Sequence, residues 1–220
     1  MLLFVVFLLA LCSIAYELIL AQSLAAFLEN TVLRYSVTIG LYMFSLGVGA
    51  LLADEKLRSK PLITLSWVEV FLSILGGGSV IFLYLVEHSG VSRIVFSVFA
   101  HSLIIIIGVL SGLEIPLLLE LAQRKSTENT ILGINYFGAF VGTIAFAFLF
   151  CPKMGLVASS LFLGAVNAAA GVLLVISTAK PKEPLLQKIC WTQKILCFIF
   201  CLGLLCAKPI SDGLTQLYLS

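Results

Sequence analysis

The chain has 220 residues, 61% of them hydrophobic and 11% charged, with a mean hydropathy of +1.16 and a formal net charge of +2. A soluble domain carries about 25% charged residues, so this composition excludes one, and the lack of a basic cluster or a stacking-aromatic module excludes a nucleic-acid binder. Repeated uncharged stretches of about 20 residues predict an all-α, polytopic transmembrane helical bundle instead.

About seven spans follow in order. The first runs from about Leu2 to Leu24, the second from Val37 to Leu52 and the third from Leu62 to Val86. The fourth covers Ile94 to Leu119, the fifth Ile131 to Phe150 and the sixth Leu156 to Ile176. The seventh, Ile195 to Ala207, falls short of the usual crossing length unless flanking residues join it. The start of the chain is read as a retained first helix and not a signal peptide. It lacks a basic leader, and its apolar run continues past Tyr16-Glu17 towards Phe27. Residues 1–207 form one transmembrane domain, with 208–220 as a short tail.

Charge sets the expected orientation. Lys56, Arg58 and Lys60 follow span two, Arg124 and Lys125 follow span four, and Lys180, Lys182, Lys188 and Lys194 precede span seven. The opposite connections hold Arg34, Arg93 and Lys153, with Lys208 in the tail. Nine basic residues against four put the first set, and the N-terminus, in the cytoplasm of a cell inner membrane. A seventh crossing then leaves the far end outside.

Small-residue stripes predict close helix packing: Asn135, Gly138, Gly142 and Ala145 in span five, Gly164, Ala168 and Gly171 in span six, and His101, Gly108 and Gly112 in span four. Asn135 and Asn167 read first as interhelical glue and second as solute contacts. Gly76-Gly77-Gly78 reads as a flexible or close-packed helix segment. Tyr16, Tyr42 and Tyr136 read as lining a shared cavity or as belt residues at an interface. The six cysteines form no CxxC pair and read as small packing residues. With two histidines, a histidine metal site is not expected, and neither is a cofactor. There is no P-loop, HExxH, GxSxG or strand-linked GxGxxG.

The unusual residues are the span-interior acids Glu17, Glu69 and Glu114. No Lys or Arg lies in a predicted span core to pair with them, and His101 sits about 140° round an ideal helix from Glu114. Such carboxylates hold a proton, or face a wet cavity and hold a cation. The plainer reading is that each is a protonated acid bonded to a carbonyl or reaching for an interface. Pro116, two residues after Glu114, removes a backbone hydrogen bond and is a candidate hinge.

Two family resemblances add to this. Gly49-Ala50-Leu51-Leu52-Ala53-Asp54-Glu55-Lys56-Leu57-Arg58-Ser59-Lys60-Pro61-Leu62 resembles the loop between helices two and three of major-facilitator transporters, where a Gly, an Asp and basic residues help lock helices together. Nearly the whole chain resembles the membrane region of membrane-bound spermidine synthase-like proteins. That likeness rests on Cys12-Ser13-Ile14-Ala15-Tyr16-Glu17-Leu18, Gly112-Leu113-Glu114-Ile115-Pro116-Leu117-Leu118, Asn135-Tyr136-Phe137-Gly138-Ala139-Phe140-Val141-Gly142, Pro152-Lys153-Met154-Gly155-Leu156 and Asn167-Ala168.

In that family a membrane domain precedes a soluble aminopropyltransferase domain. The chain holds none of the transferase's Gly-rich or acidic catalytic segments, and its tail, Ser211 to Ser220, resembles the linker before them. The resemblance therefore implies no catalytic residue and no enzyme active by itself. It implies a polyamine as solute and a separately encoded aminopropyltransferase as partner. A transferase using cytosolic S-adenosylmethionine belongs inside, so the family order sits uneasily with seven crossings, and a re-entrant span seven would reconcile the two. The expectation is a membrane protein that binds or transports a small cationic solute. Glu17, Glu69 and Glu114 supply charge, and Asn135, Tyr136 and Asn167 supply polar contacts. The alternative is a non-transporting anchor or assembly module.

Overall fold

A computed structural model describes residues 1–122, 128–178 and 183–208. Every regular element among them is helical: α1 (Leu2–Leu28), α2 (Thr31–Leu52), the single-turn α3 (Glu55–Arg58), α4 (Pro61–His88), α5 (Arg93–Ala122), α6 (Glu128–Ala145), a π-helical stretch (Phe146–Met154), α7 (Gly155–Thr178) and α8 (Pro184–Leu205).

Local chemistry sets the boundaries. α1 holds neither Gly nor Pro and runs until Glu29 and Asn30, whose positive φ angles of 57° and 52° turn the chain sharply. Asn tolerates that region better than most residues, and the Asn30 side chain then accepts a hydrogen bond from the Leu33 amide at 3.3 Å, capping α2. Asp54 caps α3 in the same way, accepting from the Leu57 amide at 2.9 Å. Pro61 and Pro184 open α4 and α8, where a missing N–H costs nothing. Gly90, at φ 70°, turns α4 into α5.

Six helical runs are long and apolar enough to cross a membrane. One of them, Glu128–Ser177, is 50 residues long and holds two crossings. The chain widens into the π-helical stretch, meets Pro152, and reverses at Gly155, whose φ of 77° suits glycine. α6 and α7 therefore both pack on α1 but run in opposite senses. Gly138 lies against Phe7 and Gly142 against Leu11 and Ile14, while the Cys12 thiol reaches the Leu163 carbonyl at 3.9 Å.

The surface is apolar where a soluble protein's would be polar. Phe44, Phe140, Phe148, Phe198 and Leu205 face outward, while Glu17, Glu69, Glu114, Asn167 and Gln193 are buried. That inversion belongs to a bundle solvated by lipid.

Glycine brings the backbones together. Gly49 of α2 and Gly112 of α5 leave no room for a Cβ, each lying against the other helix's main chain, and Gly108 lies against Tyr42 and Ser45. α2 and α5 run parallel, with Arg34 beside Arg93 at one end and Ala53 beside Glu120 at the other. Across the bundle, Gly77 of α4 faces Gly164 of α7 with the Phe200 ring of α8 at the same point, Gly76 takes the Tyr16 ring, and Gly78 takes Phe82 of its own helix. The triplet is therefore a close-packed segment, one of the two readings open from the sequence.

The seventh span needs correction. α8 begins at Pro184, eleven residues before the expected Ile195, and its 22 residues are enough to cross. Leu161 opposes Gly203, Gly164 opposes Phe200 and Gly171 opposes Gln193, a full antiparallel pairing with α7. Its first half is amphipathic: Leu186, Ile189, Cys190 and Gln193 are buried, while Lys188, Trp191 and Lys194 face out, with the Lys194 amine 5.3 Å from the Trp191 ring centroid. Charges gathered on one face lower the average hydropathy, which is why the segment reads as preceding the span. The expected linker tail at 209–220, and Arg124, Lys125, Lys180 and Lys182, lie outside the described residues.

A buried acidic site between α4, α5 and α7

α4 presents Ser66, Glu69 and Ser73 along one face, spaced three and four residues apart, so that all three point towards α7 and α8. Asn167 of α7 meets them. Its amide nitrogen lies 2.9 Å from Glu69 Oε2, 3.1 Å from the Glu69 carbonyl and 3.3 Å from Ser73 Oγ. One turn away, Gln193 of α8 donates to the Ser66 carbonyl at 3.0 Å. Gly171 makes room for it, since a Cβ there would collide with the Gln193 amide.

Glu114 enters from α5. Its carboxylate lies within electrostatic reach of Glu69, and both lie within such reach of the Cys12 thiol and the Tyr16 phenol of α1. α4 begins and α5 ends at the same face of the bundle. Glu69 is eight residues from the start of one and Glu114 eight from the end of the other, so both lie about 12 Å deep.

Five polar atoms here are buried without a hydrogen-bond partner: Glu69 Oε1, Glu114 Oε1, Asn167 Oδ1, Gln193 Oε1 and Tyr16 Oη. The first four are acceptors, and of the five the phenol alone can donate. Leaving such atoms bare in a low-dielectric interior costs about 1–3 kcal/mol each and more for a charge. The unpaired atoms are acceptors for the most part and no cationic side chain is among them, so the arrangement can receive N–H donors, a cation, or a proton on either acid. No group of three or more His, Cys, Asp or Glu side chains that could hold a metal occurs among the described residues.

The other sequence candidates fall elsewhere. Glu17 is buried on α1 nearer the opposite face, and the Tyr42 phenol lies within electrostatic reach of both Glu17 and Glu114. Tyr42 joins three helices, donating to the Ser13 carbonyl at 3.0 Å and to Ser111 Oγ at 3.1 Å. Asn135 is half-buried on α6, and Tyr136 is 71% exposed on the outer side of that helix, so neither joins the acid pair. Pro116 lies within an unbroken α5, and its missing N–H withdraws a donor from the Gly112 carbonyl. His101 is held by the Ser97 carbonyl, 2.6 Å from Nδ1. Sequence reading misses Gln193, which lies before the expected start of span seven at Ile195, and the Ser66/Ser73 pair. The i, i+3, i+7 spacing of Ser66, Glu69 and Ser73 was the available signal for that pair.

Known proteins carry a matching stretch. Polyamine aminopropyltransferase 1 of Streptomyces coelicolor is 36% identical over 182 residues, 80% of this chain and 34% of that protein. The polyamine aminopropyltransferase of Leptospira interrogans is 34% identical over 166 residues (73% of this chain, 32% of that protein), and the one of Mycobacterium tuberculosis is 34% identical over 181 residues (76% and 34%). The chain thus spans about a third of the length of the curated relatives it matches, a relationship to spermidine synthase-like proteins across its helical part. No family model and no solved structure matches it.

Proposed function

We propose that this chain is a multi-pass membrane protein whose buried acid pair binds a small polycation, a polyamine, and passes it across the bilayer. The observation that carries this reading is the set of buried acceptor atoms, one each on Glu69, Glu114 and Asn167, that no hydrogen bond satisfies. An alkylammonium group brings up to three N–H donors and a full positive charge, which is the complement of that set. The printed names of the relatives, polyamine aminopropyltransferases, supply the solute class.

Both carboxylates are buried, so a solute reaches them only if helices part. α5 has lost a backbone hydrogen bond beside Glu114, which makes Pro116 the natural place for it to bend. Glu17, on the far side of Tyr42, is a third carboxylate on the way out. Asn135 and Tyr136 take no part in this version of the site. The acid pair would lie in the cytoplasmic half, with the N-terminus also inside, as the basic loop Lys56–Lys60 favours. A reporter inserted at Ser59 and another at Gly90 would read opposite sides if that orientation holds.

Uptake of labelled spermidine into proteoliposomes tests the transport reading, comparing wild type with Glu114→Gln. Uptake that is saturable in the wild type and lost in the variant is expected. Wild-type uptake no greater than that of empty vesicles, with both proteins equally stable, would sink the idea. A second reading, a non-transporting anchor for an aminopropyltransferase, draws on the printed names of the relatives. Co-purification of a soluble aminopropyltransferase domain with a chain inactive in uptake would select it.

A further inference from the structure

At the opposite face of the bundle from the acid pair's shallow side, α2 and α5 both begin, because the two helices run parallel. A cavity of about 320 Å³ opens between their first turns, lined by Leu28, Arg34, Arg93, Ile94, Ser97 and Val98. Two guanidinium groups share this space and no carboxylate lines it among the described residues. Arg34 Nε is buried and has no hydrogen-bond partner.

Two cations against one small volume repel each other, and a buried guanidinium donor left unpaired costs the full penalty of its desolvation. An oxyanion between them removes both costs. The planar guanidinium fork matches phosphate oxygens better than any other side chain, and the starts of two helices add positive potential in the same direction. Ser97 offers a hydroxyl beside them. The remaining wall, Leu28, Ile94 and Val98, is apolar, and Ile94 and Val98 are exposed on the side that faces hydrocarbon.

We propose that this pocket is a binding site for a phosphate oxyanion carried by an amphiphile, the headgroup of an anionic phospholipid. Arg34 and Arg93 hold the phosphate oxygens, and the apolar wall takes the start of an acyl chain. The proposal is independent of the polyamine reading, since the site lies at the other end of the bundle and carries the opposite charge.

Native mass spectrometry of the delipidated full chain tests it, with titration of phosphatidylglycerol, phosphatidylcholine and inorganic phosphate in separate arms. Wild type should retain one phosphatidylglycerol in preference to phosphatidylcholine. Arg93→Gln and Arg34→Gln should each bind it about tenfold more weakly, while Lys194→Gln, which removes an exposed charge elsewhere, should not change it. Equal phosphatidylglycerol binding by wild type and Arg93→Gln would overturn the site. Arg93 is exposed, so that variant decides the matter even if Arg34→Gln does not fold. Binding of inorganic phosphate with the same arginine dependence, and without lipid preference, would keep the oxyanion site and overturn the lipid as its source.

Discussion

The α2–α5 and α4–α7 contacts use the same device and end differently. Both rest on glycines that leave no space for a Cβ: Gly49, Gly108 and Gly112 in one, Gly77 and Gly164 in the other. At the α2–α5 glycine crossing Tyr42 is bonded to Ser13 and Ser111, and Ser45 to the Leu41 carbonyl, while Thr38 Oγ1, one turn before Tyr42, and Arg34 Nε at the end of the contact are buried without a partner. Along α4–α7 the same close approach brings in Glu69 and Asn167 and leaves an oxygen of each without a partner. The first crossing closes the hydrogen bonds beside its glycines, and the second keeps acceptors open beside equally tight packing.

The largest expected effect falls on the closed contact. Gly112→Leu drives a side chain into the main chain of α2 at Leu46 and should cost about 3 kcal/mol or more, read as loss of a monodisperse peak and of a cooperative melt in detergent. Asn167→Ala removes the donor that faces Glu69 and Ser73, and should lower stability by about 2 kcal/mol, seen in the same melts. Glu114→Gln should leave the melt within a few degrees but weaken spermidine binding about tenfold, the loss of one charge-assisted contact, measured by ligand-dependent thermal stabilisation. A Glu114→Gln protein with undiminished spermidine stabilisation would make the two contacts alike and erase the distinction. Tyr42→Phe should cost about 1 kcal/mol without altering spermidine binding. Glu17→Gln, apart from the acid pair, should change equilibrium binding less than about twofold; a larger loss would move the site towards α1.

Much of the fold was legible because it is written in period and composition. Uncharged runs of crossing length mark six helices, and the glycine stripes at 108/112, 138/142 and 164/171 all lie against neighbouring helices. The start of α8 was not legible, since its lysines lower the hydropathy average while occupying only the outer face. For the site, each acid stands out singly, but nothing local to Glu69 or Glu114 says that they come within electrostatic reach of each other. That proximity comes from α4 and α5 running antiparallel at matched depth, a property of the whole bundle. Tyr136 shows the converse: a polar residue beside a conspicuous glycine stripe lies outside when the stripe, and not its neighbour, faces the partner helix.

The glycine triplet in α4 gives that helix a waist. Over three successive positions it is bare main chain, and two of the bulkiest rings in the bundle, Tyr16 from α1 and Phe200 from α8, fill the width that side chains would otherwise occupy. Elsewhere a truncated core residue leaves a gap that neighbouring methyl groups on the facing helix can swing to fill. Here α4 covers only Gly78 itself, with Phe82, so at Gly76 and Gly77 the girth of the bundle depends on two rings held by other helices.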